Sequence, residues 1–169
     1  CEHGHAWDES IRNVAVRQYV CTTCNSFGHN YTELLKRWDY AKNTIDPYEI
    51  TPGSKVSAFW LCDENQNHSY ERVIHAEIKS KGCPYCMNWR VGEDNNLQVV
   101  CPELVKEWHP TKNESLTPSE VTTSTTKAVW WRCKEGHEWE SQVAPRMKEG
   151  EPSECPKCKE INLFKTSSL

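Results

Sequence analysis

No run of about 18 apolar residues occurs in this chain, so no segment is expected to cross a bilayer as a helix. No signal-peptide-like apolar stretch precedes Cys1 either. Aliphatic material is thin: apolar residues make up 37% of the chain, Met and Phe number 2 and 3, and mean hydropathy is −0.80. A chain of 169 residues this polar cannot fill one large core, which favours several small units. An excess of positive charge is missing too. Basic residues number 20 against 24 acidic ones, a formal charge of −4. That counts against a generic polyphosphate binder, whose footprint is a basic surface.

What the chain does have is eight tryptophans and ten cysteines. Units below about 70 residues usually need disulfides or metals to hold them. Laying the cysteines over one another exposes a repeat. The last third reads Cys133-Lys-Glu-Gly-His137-Glu-Trp139 and then Cys155-Pro-Lys-Cys158, or C-x3-H-x17-C-x2-C. The start reads Cys1, His5 and Trp7, then Cys21-Thr-Thr-Cys24, or C-x3-H-x15-C-x2-C. The middle reads Cys62, His68 and Tyr70, then Cys83-Pro-Tyr-Cys86, or C-x5-H-x14-C-x2-C. Nine of ten cysteines and three of seven histidines are used once each. His3 competes with His5, but the aromatic two residues on favours His5.

The connecting segments repeat as well. Leu34-Leu35-Lys36-Arg37-Trp38 lies over Leu104-Val105-Lys106-Glu107-Trp108, and Lys42-Asn43 lies over Lys112-Asn113. Pro47 to Thr51 lies over Pro118 to Thr122, and eleven steps separate each of those threonines from the next cysteine. One unit is thus a short helix, a turn-rich connector and a ribbon. Leu104 and Trp108 are spaced i, i+4 after Pro102, and Leu34 and Trp38 follow Thr32 as an expected N-cap. The strands are expected at 127–133 and 137–143, with Gly136 between them and Cys155–Cys158 as a facing knuckle. The expected organisation is a truncated repeat 1 over 1–30, repeat 2 over 31–95 and repeat 3 over 96–161. Residues 162–169 are a tail or the start of a further repeat. Cys1 falls in mid-repeat, so the chain reads as a window on a longer repeat protein.

Zinc prefers a tetrahedron of thiolate and imidazole, and short-loop ligand pairs separated by a dozen or more residues supply one. A disulfide framework would leave the histidine in each copy unexplained. The expected ligand sets are Cys1, His5, Cys21 and Cys24; Cys62, His68, Cys83 and Cys86; and Cys133, His137, Cys155 and Cys158. The fold class follows: small metal-stabilised α+β repeats, three tandem zinc ribbons of β-hairpin plus CPxC knuckle, joined by short helices and loops. Four protein ligands leave no open position for water or substrate, so the sites are expected to be structural and the chain not an enzyme. His75-Ala-Glu77 ahead of Cys83-Pro-Tyr-Cys86 echoes the zinc deaminase signature. There the proline precedes the cysteine pair, whereas here it lies inside it, and that reading is rejected. Each Cys3His site carries a net −1, which takes the zinc-loaded chain to about −7.

Together these residues resemble the "probable zinc-ribbon domain" repeat family. The resemblance rests on Leu104 to Asn113, Val129-Trp-Trp-Arg-Cys133 to Trp139, Arg146 and Cys155-Pro-Lys-Cys158, and it covers nearly the whole chain. It implies a tandem structural zinc module. Such arrays occur in bacterial and phage proteins, some fused to restriction-endonuclease-like domains, and in eukaryotic, including organellar, proteins. Nucleic-acid association is the usual inference for them. The middle unit departs in its longer Cys62–His68 loop and in Tyr70, and the earlier units lack a plain counterpart of Arg146.

Most tryptophans are expected to form the small ribbon cores. Trp89 has no repeat counterpart and, with Arg90, Lys79, Lys81, Arg132 and Arg146, forms the candidate nucleic-acid contact set. Arg12 and Arg17 form another basic group. Cys101 is expected to be a small buried residue and His109 a local cap or packing residue. The expected function is a nucleic-acid-associated module of a larger protein or ribonucleoprotein. The alternative is a protein-binding scaffold, which acidic charge and repeat architecture also fit. No membrane partner or small-molecule substrate is expected. The setting is expected to be intracellular, in the cytoplasm, the nucleus or an organelle such as the mitochondrion.

Overall fold

The computed structural model describes residues 1, 3–6, 21–148 and 150–166. Trp7, Arg12 and Arg17 lie outside the described residues. The chain divides into two compact units, 1–83 and 84–169. No helix among the described residues is long and apolar enough to cross a membrane.

In the first unit a one-turn helix α1 (Phe27–Asn30) is followed by a 3-10 turn over Thr32–Arg37. Ser26 caps α1, its hydroxyl accepting from the His29 amide at 3.3 Å. Thr32 opens the 3-10 turn rather than capping it, and Tyr31 takes the cap position. A second 3-10 turn, Pro47–Glu49, starts on the Asp46 cap. Strands β1 (Ser57–Leu61) and β2 (Ser69–Val73) form an antiparallel hairpin, and α2 (Ile74–Ile78) follows directly. The core is aromatic. Phe27, Trp38, Trp60 and Tyr70 are buried, and the Trp38 and Trp60 rings meet edge to face at 5.2 Å. Phe27 packs on both tryptophans at 5.7 Å. Large rings fill a small volume from few residues, which suits a chain poor in aliphatics.

The second unit repeats this scheme. Helices α3 (Leu97–Val100) and α4 (Pro102–Val105) lead in, and Asn96 caps α3 as Ser26 caps α1. A 3-10 turn spans Pro118–Glu120 with a capping box between Thr117 and Glu120. Strands β3 (Ala128–Arg132) and β4 (Glu138–Gln142) pair antiparallel. A minimal hairpin, β5 (Met147–Lys148) with β6 (Glu151–Pro152), leads to α5 (Pro156–Thr166). Here the core is Leu97, Leu104, Val121, Val129, Trp131 and Val143, with Trp108 against Trp131 at 5.4 Å. Cys101 is buried in it, as expected.

Two expectations change. The lead-in is two short elements in each unit rather than a single helix, because Tyr31 and Cys101 leave the helical region between them. The Cys155–Cys158 pair is not a free-standing knuckle but opens an 11-residue helix, and Ile161 to Phe164 continue that helix.

Hairpin register is shared between the units: Trp60 faces Tyr70 as Trp131 faces Trp139, and Leu61 faces Ser69 as Arg132 faces Glu138. The repeated asparagine clips the lead-in segment to the hairpin. Asn43 accepts from the Phe59 amide and donates to the Phe59 carbonyl, both at 2.8 Å. Asn113 does the same to Trp130 at 2.7 and 3.0 Å. The preceding lysine lies over the same ring, Lys42 over Phe59 and Lys112 over Trp130.

Candidate metal centres

Three groups of four donors come together: Cys1, His5, Cys21 and Cys24; Cys62, His68, Cys83 and Cys86; and Cys133, His137, Cys155 and Cys158. Within each, all donor atoms lie within 4.8 Å of one another. These are the sets read from spacing. Tetrahedral zinc with bonds of about 2.3 Å to sulfur and 2.0–2.1 Å to nitrogen sets sulfur pairs about 3.8 Å apart and sulfur–nitrogen pairs about 3.5 Å apart. The Cys1–Cys24 and Cys133–Cys158 sulfurs are 3.7 and 3.8 Å apart. His5 Nδ1 lies 3.6, 3.6 and 3.2 Å from the sulfurs of Cys1, Cys21 and Cys24. His137 Nδ1 lies 3.5, 3.7 and 3.3 Å from those of Cys133, Cys155 and Cys158. His68 Nδ1 is 3.6 Å from Cys83 Sγ. The donor sets fit zinc, and the chain takes three zinc ions, one per set. All ten cysteines are free thiols, so none is tied up in a disulfide.

Each first ligand pair is held by a closed loop. The Cys62 and Cys133 amides donate to the His68 and His137 carbonyls at 3.0 and 3.1 Å, and the Cys1 amino group does so to His5 at 2.9 Å. In the three-residue loops Gly4 and Gly136 adopt φ of +79° and +81°, where a side chain would be strained. The five-residue loop uses Asn65 instead: its carbonyl accepts from the His68 amide at 2.9 Å, and its side chain lies 3.3 Å from His68 Nε2. His3 stands beside Cys24 at 3.5 Å, but His5 completes the set.

Without metal the thiols of one cluster cannot all ionise together. Burial first, then the neighbouring thiols, pushes Cys158 up to about 12. Burial also opposes ionisation of Cys133, yet the His137 and Glu135 backbone groups bring it down on balance. A divalent ion relieves that conflict by offsetting two of the three thiolate charges. In the third site Cys158 also sits in the first turn of α5, where backbone N–H groups favour a thiolate.

Beside the second and third sites lie buried ion pairs. Arg146 is 3% exposed, stacked between Trp131 and Trp139 at 5.1 and 4.9 Å, and its Nη2 donates to Glu107. Burial pulls this guanidinium down from its ordinary value while Glu107 and nearby thiols push it up. It is therefore part of the core and not a free contact group, contrary to its place in the sequence-derived contact set. Its counterpart in the first unit is Glu77, which sequence comparison missed. Glu77 and Arg146 each come nine residues after the zinc histidine, and that shared spacing is the signal that would have found it. Glu77 is 1% exposed, paired with Arg37 at 2.5 Å and Arg72 at 2.6 Å, and accepts from the Tyr70 hydroxyl at 3.1 Å.

The remaining candidates are exposed. Lys79 and Lys81 lie on the first unit, and Trp89, Arg90 and Arg132 on the second. Arg132 lines a cavity of about 630 Å3 beside the third site, together with Lys106, Lys134, Glu103, Glu107 and Glu154. Trp89 is 62% exposed on a loop with no counterpart in the first unit. That loop is pinned. Buried Asn95 donates to the Tyr85 and Arg90 carbonyls at 2.7 and 2.9 Å and accepts from the Gly92 amide at 2.6 Å. The Thr122 hydroxyl donates to the Asn88 carbonyl at 2.9 Å, and the Arg90 guanidinium lies 5.7 Å from the Tyr85 ring centre. A groove of about 400 Å3 beside Trp89 is lined by Val91, Thr122, Ser124, Thr125, Thr126 and Lys127.

Hairpin tips and a helix start that present Cys3His donor sets, repeated along the chain, define a tandem zinc-finger protein. Residues 34–88 and 104–161 each match the family described as the probable treble clef zinc finger domain. The matches span more than half of the chain, and the chain belongs to that family. The match is to treble clef fingers, which supports the broader expectation of a zinc-finger repeat family and not specifically a zinc ribbon. No curated protein matches the chain.

Proposed function

We propose that the chain is a non-catalytic zinc module that contacts single-stranded nucleic acid through the Trp89 loop. The observation that carries this reading is a broad aromatic face held out in solvent by a loop whose backbone is pinned. A base stacking on an exposed tryptophan contributes about 1–3 kcal/mol whatever its sequence, and nearby cations take the phosphates. Arg90 and Lys127 supply those cations, and the hydroxyls of Ser124 and Thr126 offer neutral contacts. The acidic chain as a whole would restrict contact to this face, which favours one strand over a wide duplex footprint. The closed donor sets support the absence of catalysis, since no zinc position is left for substrate.

The test is titration of the zinc-loaded chain with short single- and double-stranded RNA and DNA across a salt series. The expected result is preference for single strands, affinity falling with salt, and a loss of about tenfold in Trp89→Ala. No binding at low salt would overturn the reading and turn attention to a protein scaffold, with partners sought by pull-down.

A further inference from the structure

The lead-in segment and the hairpin side of each unit meet through a tryptophan contact, an asparagine clip and two side-chain polar pairs. The apolar contact, tryptophan on tryptophan, and the asparagine clip are the same in both units. The side-chain polar pairs are not. In the first unit the segment brings Arg37 and the hairpin side answers with Glu77; in the second, the segment brings Glu107 and meets Arg146. Two residues along, Asp39 accepts from the Ala41 and Lys42 amides at 3.1 and 3.2 Å, and Ser69 donates to its other oxygen at 3.2 Å. His109 performs the same cap, accepting at Nδ1 from Thr111 and Lys112 at 3.3 and 3.1 Å. Its Nε2 then donates to Glu138 at 2.9 Å.

We infer that these exchanged polar pairs are a recognition code by which each hairpin selects its own lead-in segment and rejects that of the neighbouring repeat. Tandem repeats with the same apolar contact can pair wrongly. Connectivity alone discriminates weakly: Trp38 precedes Trp60 by 22 residues, and the competing Trp108 follows it by 48. Loop-closure entropy over that ratio favours the correct segment only about threefold. The code adds much more. The second segment on the first hairpin would bury Glu107 against Glu77, and Arg72 offsets only one of those charges. The first segment on the second hairpin would bury Arg37 against Arg146 and set Asp39 towards Glu138. A buried like-charge contact in place of an ion pair lowers such a state by roughly a hundredfold or more. This is specificity by repulsion of the wrong partner, added to attraction of the right one.

The experiment gives both repeats the same code. In the full chain, Glu107→Arg, His109→Asp, Glu138→Ser and Arg146→Glu copy the first unit's pattern onto the second. The chain is refolded from denaturant with zinc at concentrations low enough to keep it monomeric. Wild type and variant share any proline-limited phase. The variant is expected to add a slow phase of about a quarter of the amplitude, independent of protein concentration, as mispaired chains sort themselves out. Should that variant fail to take up three zinc ions, the Glu107→Arg/Arg146→Glu chain, which exchanges only the charge pair, replaces it, with the same expectation. Refolding of either chain with wild-type phases and amplitudes would overturn the inference.

Discussion

A buried carboxylate in the first unit and a buried guanidinium in the second occupy one structural position, Glu77 and Arg146, and each finds its opposite on the lead-in segment. Asn43 and Asn113, by contrast, are the same residue making the same two bonds. The difference lies in what each side chain faces. The asparagines bind backbone N–H and C=O, which no substitution changes, so only a group that both donates and accepts serves. The buried charges face another side chain, and two side chains can exchange roles together. Burial of the pair demands complementarity without fixing which partner is positive. The units also differ in how fully the charge is answered. Glu77 has two arginines and a tyrosine hydroxyl, while Arg146 keeps Nε and Nη1 unbonded and leans on two indole faces.

Metal removal should erase the comparison altogether. Structural zinc contributes apparent folding free energy of about 10–16 kcal/mol in isolated fingers, so a strong chelator should collapse the circular-dichroism signal of both units and open both to protease. Acid should act in the same direction, because ligand thiolates take up protons as zinc leaves. Native mass spectrometry should show Cys83→Ser and Cys155→Ser each lowering the bound zinc from three ions to two, each emptying a different site. Next come the buried charges. Glu107→Ala should cost about 3–5 kcal/mol in denaturant melts, since it strands the buried Arg146, and Glu77→Ala somewhat less, since the partly buried Arg37 and Arg72 lose their shared carboxylate but Arg37 keeps Asp63. Glu107→Arg combined with Arg146→Glu should recover most of the loss at Glu107. Asn43→Ala and Asn113→Ala should each cost about 1–3 kcal/mol, and by the same amount within error. An unequal pair would break the claim that the clip is identical. Smallest of all, Trp89→Ala should change stability by no more than about 0.5 kcal/mol while weakening strand binding.

The metal sites were legible because zinc imposes spacing on the sequence itself: short ligand loops cannot be disguised. The core tryptophans were legible by superposition of repeats. Arg146 was misread because arginine in sequence looks like a surface cation, and its burial depends on Glu107, 39 positions away. Glu77 was hidden by the opposite sign of its charge, since matching identical residues discards a compensated exchange. The helical start at Pro156 was concealed by the expectation of a knuckle, although proline is well placed at a first helical position. His109, expected as a local cap or packing residue, is a cap, but its matching with Asp39 became visible only through the shared amide partners.

The exposure of Trp89 has an optical consequence. Trp38, Trp60 and Trp131 are 0–2% exposed, and among the described residues only Trp89 of the tryptophans is largely open to solvent. Its emission should lie to the red of the other described tryptophans and should be reached by a charged quencher such as iodide before theirs. The protein thus carries its own fluorescent label, placed where a strand would stack and apart from the indoles that report on folding.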